Sequence, residues 1–174
     1  MSTQVTAPGE EEWYRVYNPE LDTAAFDPLD PEKRYHEGVL VETNPGYGKG
    51  TLFHVTGDII AASGMRYEER EFDREMESEY LHSFPQIGRV LRTDFHSGKI
   101  SAILKELPRP TKQQGINFWE VDPTTGRHEI IRTRQDGQRY GPDEQRRPIF
   151  KCNEWTRQYA IPALRGAGVL LDSL

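Results

Sequence analysis

The stretch Ile149-Phe150-Lys151-Cys152-Asn153-Glu154-Trp155-Thr156-Arg157 contains the only cysteine of the chain. It follows an extended-looking segment and begins a pattern of helical period, whose apolar positions are Trp155, Tyr159, Ala160, Ala163 and Leu164. A thiol in the first turn of a helix lies near unpaired backbone N–H groups and the positive end of the helix dipole, and both favour the thiolate. We therefore expect a lowered pKa and a nucleophilic role for Cys152. The alternative is the commoner role of a lone cysteine, a small buried hydrophobic side chain.

Composition and charge narrow the class of protein. The chain has 174 residues, 35% of them hydrophobic, which suits one domain with a modest core and long polar loops. A net charge of -6 argues against nucleic acid and anionic membrane surfaces as partners. A single cysteine builds no disulfide framework, and the sequence has neither an apolar leader nor a run of roughly 18 apolar residues. We expect a cytoplasmic protein, and the composition leaves its oligomeric state open.

Local patterns predict short strands and few helices. We expect residues 1–11 to form a flexible leader and residues 12–174 a single domain of catalytic type. The predicted elements are strands at 13–17, 35–42, 51–56, 59–62, 65–67, 87–91 and 116–121, a charged helix or loop at 68–80, a short helix capped by Ser97, an exposed excursion at 122–147, and a last helix that runs from Cys152, kinks at Pro162 and ends near 166–168. Together they predict an α+β fold, a small and mostly antiparallel sheet with two or three helices, in which Cys152 opens the last helix and that helix packs on the sheet.

Two histidines lie on one predicted β-hairpin. His36 is on its first strand and His54 on its second, with a turn at 44–50 between them. A hairpin closed around that turn places His54 near Leu40, so that both imidazoles lie on one sheet and line one cleft. A helix carrying Cys152 on this sheet then supplies a thiol–imidazole pair and a second imidazole to orient it, as thiol nucleophiles require. The alternative is that each histidine is half-buried and bonded to backbone groups.

We assign no catalytic or ligand-binding role to the remaining sequence patterns. The Gly-rich segment 46–51 resembles a phosphate-binding loop but lacks the four-residue gap before Gly-Lys, and a strand pattern follows it, so we interpret it as a hairpin turn. One cysteine and scattered histidines give no short-spaced ligand pair, so we predict no metal site and no cofactor. The arginines of 127–147 alternate with acids, and the acids of 68–79 show no isolated pair, so both tracts are predicted to be solvated.

Several segments resemble a known superfamily. Residues 35–41 (Tyr-His-Glu-Gly-Val-Leu-Val), the Gly-rich turn and residues 52–55 (Leu-Phe-His-Val) are similar to the first half of the circularly permuted papain-like group. That group includes lecithin–retinol acyltransferase-like proteins and PPPDE-type deconjugating peptidases. Its order is a histidine at the start of a strand, a second histidine on the next strand in the acyltransferase branch, and a late cysteine that opens a helix. Over roughly residues 35–170 the chain also resembles short, mostly uncharacterised fungal proteins, at segments 36–40, 50–58, 87–90, 107–110 and 152–156.

The resemblance implies a role for each of three residues. Cys152 would be the nucleophile, His36 the base and His54 the third, polarising residue. The chain departs from the pattern at Glu37, which stands where an aromatic residue usually follows the first histidine. This departure bears on the pKa of the base or on the shape of the pocket. We also expect no membrane-anchoring tail of the kind that many acyltransferase-like relatives have.

These observations predict a cysteine-dependent hydrolase or acyltransferase that acts on an ester, thioester or amide of a small molecule, or on an acylated or peptide substrate. Backbone N–H groups at the start of the Cys152 helix would stabilise the oxyanion. One alternative is a non-catalytic binding or accessory protein of the same fold, with an ordinary thiol pKa and no imidazole within reach of the sulfur. Another is an isomerase or cyclase that uses His36 and Glu37 as acid and base. Sequence does not distinguish hydrolysis from transfer or cyclisation.

Overall fold

A five-stranded antiparallel sheet forms the centre of the fold in a computed structural model, which describes residues 12–173. Its order is β6-β5-β4-β1-β8, and smaller sheets have the orders β3-β2-β7 and β10-β9. The strands are β1 (Trp13–Tyr17), β2 (Glu20–Leu21), β3 (His36–Glu37), β4 (Val39–Asn44), β5 (Lys49–Thr56), β6 (Arg66–Asp73), β7 (Leu81–Ser83), β8 (Gln86–Leu91), β9 (Gln114–Ile116) and β10 (Ile130–Arg132). The helices are α1 (Arg92–His96), α2 (Lys99–Lys105), α3 (Cys152–Glu154), a π-helical segment (Trp155–Ala160) and α4 (Ile161–Gly166).

The last three segments form one continuous helix, which we call the Cys helix. The residues at its two internal junctions, Trp155 and Ile161, keep right-handed helical backbone angles. Pro162 is the second residue of α4, and its missing N–H leaves a carbonyl of the preceding π-helical segment without that donor. The helix continues through this position to Gly166, and the kink at Pro162 stays a prediction. The fold is α+β, the predicted class, and Cys152 begins the last helix.

The central sheet is buried on both faces, because alternate residues of β4 and β5 enter two different cores. Val39, Val41, Phe53 and Val55 pack with the α-helices and with Trp155 of the Cys helix. The intervening residues, Leu40 and Leu52, pack with Leu21 and Phe72 in a second cluster on the opposite side. Strands covered on both faces carry nearly continuous apolar runs, as β4 does here.

The hairpin of β4 and β5 differs in register from the prediction. Val39 pairs with Phe53 and Leu40 with Leu52, so His54 falls opposite Gly38 and not near Leu40. The absence of a side chain at Gly38 permits this approach, since a Cβ there would lie 2.8 Å from the Phe53 carbonyl oxygen and 3.0 Å from the His54 Cβ. Gly38 also separates β3 from β4, so that the chain leaves the central sheet and pairs with β2.

Four local predictions are wrong for identifiable reasons. The strand predicted at 65–67 continues to Asp73 beside β5, because tertiary pairing overrides the charged sequence of 68–80 that predicted a helix or loop. Residues 59–62 form a turn, the 116–121 strand ends at Ile116, and the helix near Ser97 begins after Gly98, whose φ of 81° lies in the left-handed region. The excursion at 122–147 is mostly exposed, as predicted, and contains only the short strand β10 among regular elements.

The predicted leader, residues 1–11, lies outside the described residues, so the division into a leader and one domain stays a prediction. Among residues 12–173, no helix combines the length and apolar character needed to cross a bilayer.

Candidate functional site

His36, His54 and Glu68 form a hydrogen-bonded chain across three strands. The His36 Nε2 atom lies 2.7 Å from His54 Nδ1, and His54 Nε2 lies 2.9 Å from Glu68 Oε2. The strand register explains the second contact, because His54 of β5 is the direct cross-strand partner of Glu68 of β6. His36 reaches the pair from β3 across the gap left by Gly38. The two predicted histidines are therefore brought together, and Glu68 is a third member that the sequence analysis missed.

The chain of hydrogen bonds determines the tautomer of both imidazoles. A carboxylate only accepts hydrogen bonds, so the Nε2 atom of a neutral His54 carries the proton donated to Glu68. Its Nδ1 atom then accepts a hydrogen bond, so the proton between the rings belongs to His36 Nε2. This assignment leaves the Nδ1 atom of His36 with a free lone pair and no hydrogen-bond partner within residues 12–173. A general base requires such an atom.

Burial keeps both imidazoles uncharged. It lowers the pKa of His36 and lowers that of His54 to about 3, with smaller contributions from the nearby Arg70 guanidinium. The contact between His54 and Glu68 favours the charged imidazole, but His54 is only 3% exposed and lies against a second imidazole. We therefore treat both rings as neutral at physiological pH, where His36 can accept a proton.

Cys152 is the first residue of the Cys helix and is 8% exposed. Burial raises the pKa of its thiol, and the carboxylates of Glu37 and Glu154 act in the same direction. The backbone N–H of Glu37 and the Arg34 guanidinium oppose them without reversing the shift. The predicted lowering of this pKa is wrong for the resting protein, because desolvation and two carboxylates outweigh the first turn of the helix.

The thiol and the two imidazoles line one cavity of about 820 Å³. Within residues 12–173 the thiol has no hydrogen bond to an imidazole, and it lies 3.7 Å from the side-chain acceptor Asn153 Oδ1. The helix that carries Cys152 packs against β3 and β5, the strands of His36 and His54. The elements are thus arranged as predicted, but the proton-transfer contact between thiol and base is not made in this state.

Glu37 follows His36 but its side chain lies on the other side of the strand, as alternation requires. It is 1% exposed and accepts hydrogen bonds from Asn153 Nδ2 at 2.6 Å and Arg157 Nε at 2.8 Å. The residue that departs from the superfamily pattern therefore joins β3 to the Cys helix. It does not line the cavity with His36, so the acid–base alternative lacks its acid.

A loop lines the cavity and is bonded to the start of the Cys helix. We call residues 22–35, between β2 and β3, the strap. Asp27 and Asp30 of the strap lie 2.7 and 3.1 Å from the ammonium group of Lys151, which precedes Cys152. Arg34 is paired with Glu154 at 2.7 Å and donates to Asn153 Oδ1 at 3.1 Å. These side chains are each less than a third exposed, so the strap is held to the start of the Cys helix by partly buried ion pairs.

The backbone N–H groups of the Gly-rich turn bind a carboxylate of the same hairpin. Glu42, 3% exposed, accepts hydrogen bonds from the N–H groups of Gly46 and Gly48. This contact and the β4–β5 pairing confirm the interpretation of the segment as a hairpin turn. The N–H groups that a phosphate would need are occupied by the protein itself.

The remaining histidines are engaged elsewhere. His96 bonds the Tyr14 hydroxyl, His82 stacks on Tyr35, and His128 contacts the carbonyl of Asn117. No group of three or more side chains suited to metal binding occurs within residues 12–173. Of the residues missed from sequence, Glu68 had one available signal, its position in β6 opposite His54 once that tract is recognised as a strand. Asn153 is adjacent to Cys152, but its role depends on contacts with the strap and β3.

Comparison with known proteins identifies a family but no characterised relative. No curated protein and no solved structure matches the chain. A family model matches residues 25–171, a range that includes both histidines, Glu68, the strap from Ala25 onward and the whole Cys helix. The chain therefore belongs to a family of unknown function (DUF6540).

Proposed function

We propose that the protein is a thiol enzyme, a hydrolase or acyltransferase that uses Cys152 as nucleophile, His36 as general base and His54 as the residue that orients the base. The observation that carries the proposal is the chain from Glu68 through His54 to His36, which leaves the Nδ1 atom of a neutral His36 unpaired in the cavity that also exposes the thiol. Activated cysteines lie at the start of a helix beside an imidazole, and a second polar group orients that imidazole.

The reaction follows from these positions. His36 Nδ1 takes the proton of the thiol, and the sulfur attacks the carbonyl carbon of an ester, thioester or amide. The tetrahedral oxyanion collapses to a thioester on Cys152, and the leaving group departs with the proton returned by His36. Water or another acceptor then transfers a proton to His36 and takes the acyl group. Backbone N–H groups of the first turn of the Cys helix are the nearest donors of the type that stabilises an oxyanion.

The contacts of His54 assign it an orienting role. Both of its nitrogens are bonded, one to His36 and one to Glu68, so it has no lone pair left to take a proton from substrate. When His36 becomes positively charged, His54 accepts a stronger hydrogen bond from it. The cavity also includes apolar side chains of the strap and of the loop after β5, among them Phe26, Ile59, Ile60 and Met65. We place the reaction in a reducing compartment such as the cytoplasm, where a single thiol stays free.

A binding protein without turnover is the second candidate. It is favoured by the buried thiol, whose pKa is raised and which has no hydrogen bond to an imidazole in the resting structure. The two candidates differ in whether a carbonyl compound ever becomes attached to sulfur.

The deciding experiment is acylation of the intact protein by p-nitrophenyl acetate, followed by mass spectrometry and by release of nitrophenolate. The enzyme forms a single acetyl adduct on Cys152, and Cys152→Ser forms none. His36→Ala lowers the acylation rate by about 100-fold, the contribution of a positioned base. His54→Ala causes a smaller loss than His36→Ala, while His128→Ala, at an exposed site outside the cavity, leaves the rate unchanged.

Absence of a Cys152 adduct, or equal acylation of the wild type and His36→Ala, would exclude the thiol enzyme and leave the binding protein. The pH dependence of iodoacetamide alkylation gives an independent measurement, since the chain has one cysteine. A base that acts on the thiol makes alkylation in the wild type faster than in His36→Ala near neutral pH.

A further inference from the structure

Asn153 follows the proposed nucleophile, and both ends of its amide group are engaged. Its Nδ2 atom donates to the Tyr35 carbonyl at 2.8 Å and to Glu37 Oε2 at 2.6 Å. Its Oδ1 atom accepts from Arg34 Nη1 at 3.1 Å and lies 3.7 Å from the Cys152 sulfur. The side chain is buried, as is that of Glu37. These contacts join the strap, β3 and the Cys helix at one side chain.

The contacts leave one orientation for the amide. Exchanging its oxygen and nitrogen would place the NH₂ group against the Arg34 guanidinium. It would also place the oxygen against the Tyr35 carbonyl and the Glu37 carboxylate, which only accept hydrogen bonds. All three contacts would then be repulsive. The carbonyl oxygen of Asn153 therefore faces the sulfur.

An acceptor oxygen beside the sulfur is compatible with the thiol and unfavourable for the thiolate. The S–H group can donate to Asn153 Oδ1, whereas a thiolate would meet the lone pairs of that oxygen. The same donation directs the S–H bond toward Asn153, and no contact directs it toward His36. We propose that Asn153, held by Glu37, is a positioning residue that keeps the Cys152 thiol protonated and directed away from His36 until the site is engaged by substrate.

This inference deepens the proposed function and rests on it, because it describes how the same nucleophile is kept inactive at rest. The step it adds is a rotation of the Cys152 side chain that carries the thiol from Asn153 toward His36 Nδ1, so that the S–H group exchanges one hydrogen-bond acceptor for the other without any further reactant. Other groups also act on the sulfur. The backbone N–H of Glu37 donates a hydrogen bond to it and favours the thiolate, as does the charge of Arg34, whereas the carboxylates of Glu37 and Glu154 favour the thiol. Lys151 and His36 line the same cavity as the sulfur.

The test compares two variants that remove opposite ends of one hydrogen bond. Asn153→Ala removes the acceptor, and we expect iodoacetamide to alkylate Cys152 about fivefold faster near pH 7.5, the effect of losing one hydrogen bond to the thiol. Its alkylation midpoint also moves to lower pH. Arg34→Met removes the donor to the same oxygen together with a cation that favours thiolate, and we expect alkylation about threefold slower. General loosening of the site would accelerate both variants.

The midpoint is measured twice, from alkylation rates between about pH 6 and 10 and from thiolate absorbance near 240 nm with Cys152→Ser as the background. Thermal unfolding of each variant checks the fold, and Asn153→Ser replaces Asn153→Ala if the latter does not fold. An unchanged or raised midpoint on removing the amide, or acceleration of both variants, would overturn the inference. Failure of the proposed function is distinct, because it appears as loss of the His36→Ala effect on acylation while the midpoints still move.

Discussion

The cavity has two walls that are built in different ways. The wall with His36, His54 and Glu68 belongs to β-strands, and each contact follows from strand register and from the close approach at Gly38. The opposite wall is the strap, which has no regular secondary structure and is held to the Cys helix by Lys151 and Arg34. The first wall therefore depends on packing and the second on charge.

This difference predicts that the two walls respond differently to substitutions and to solution conditions. Packed strands resist small changes, because an added methyl group has no space to enter. Partly buried ion pairs respond to ionic strength and to loss of one partner. The contrast teaches that the two imidazoles are held in one geometry, whereas the ion pairs between the strap and the start of the Cys helix respond to conditions in solution.

Gly38→Ala tests the packed wall and should have the largest effect. The new Cβ would lie 2.8 Å from the Phe53 carbonyl oxygen and from Leu52 Cδ1, so backbone or core must shift. We expect a loss of about 3 kcal/mol in the free energy of unfolding, measured by urea denaturation. Gly166→Ala is the matched control, because nothing lies within 4 Å of its Cβ position, and it should leave stability unchanged or slightly raised. Similar unfolding free energies for both variants would show that close packing at Gly38 does not constrain this wall.

The pH dependence of stability reports the buried imidazoles. The ordinary pKa of His54 is 6.5 and burial lowers it to about 3 in the folded protein. Between these values the unfolded chain binds a proton that the folded protein does not, so stability falls as the pH falls below 6.5. We expect a loss of about 2 kcal/mol between pH 6.5 and 5.

His54→Gln should reduce this slope, whereas His128→Gln, at an exposed site, should retain it. The measurement is urea denaturation at a series of pH values. A slope that is the same in the wild type and His54→Gln would show that the pKa of His54 is not lowered by folding.

Lys151→Met tests the charged wall. It leaves Asp27 and Asp30 without their ammonium partner in a partly buried setting, and we expect a loss of about 1–2 kcal/mol in unfolding free energy. The control, Lys33→Met, removes a pair with Asp22 in which both side chains are more than half exposed, and stability should not change measurably. Equal effects of the two substitutions would show that the strap is no better anchored than an ordinary surface loop.

Salt should have the smallest effect and should act on the strap alone. In 0.5 M sodium chloride we expect the wild type to lose about 0.5 kcal/mol of stability, and Lys151→Met to lose less, because its ion pairs are already absent. Iodoacetamide alkylation of Cys152 should accelerate in the wild type under the same conditions. Equal salt responses in both proteins would locate the sensitivity elsewhere in the molecule.

The fold class could be predicted from sequence because the patterns that indicate each strand and helix are local. The apolar runs in residues 39–41 and 52–55, the Gly-rich turn between them and the helical period after Cys152 each lie within a few residues. The part of β6 from Glu68 to Asp73 could not be predicted, since its charged sequence becomes a strand only through pairing with β5. The register of the hairpin differs from the prediction because the pairing of β4 with β5 shifts between Glu42 and Asn44, beside the turn.

The candidate site likewise contains residues that local sequence patterns predicted and residues that they did not. His36, His54 and Cys152 were identified from sequence, and their placement around one cavity follows from the strand–strand–helix order. Asn153 and Arg34 acquire their roles from contacts between segments more than a hundred residues apart, which no local pattern encodes. The pKa of the thiol was predicted in the wrong direction for the same reason, because it depends on the buried carboxylates that surround it.

The π-helical segment of the Cys helix has a consequence for its evolutionary history. Such a turn is equivalent to one residue inserted into an α-helix, and here it separates the Cys152 end from the Leu164 end. Deleting the exposed Gln158 would restore an α-helical path and rotate one end by about 100° relative to the other. The thiol and the buried anchor at Leu164 would then face different directions. The inserted residue therefore sets the rotation of Cys152 relative to Leu164 about the helix axis. A relative without it would need another buried side chain to keep its cysteine on the cavity.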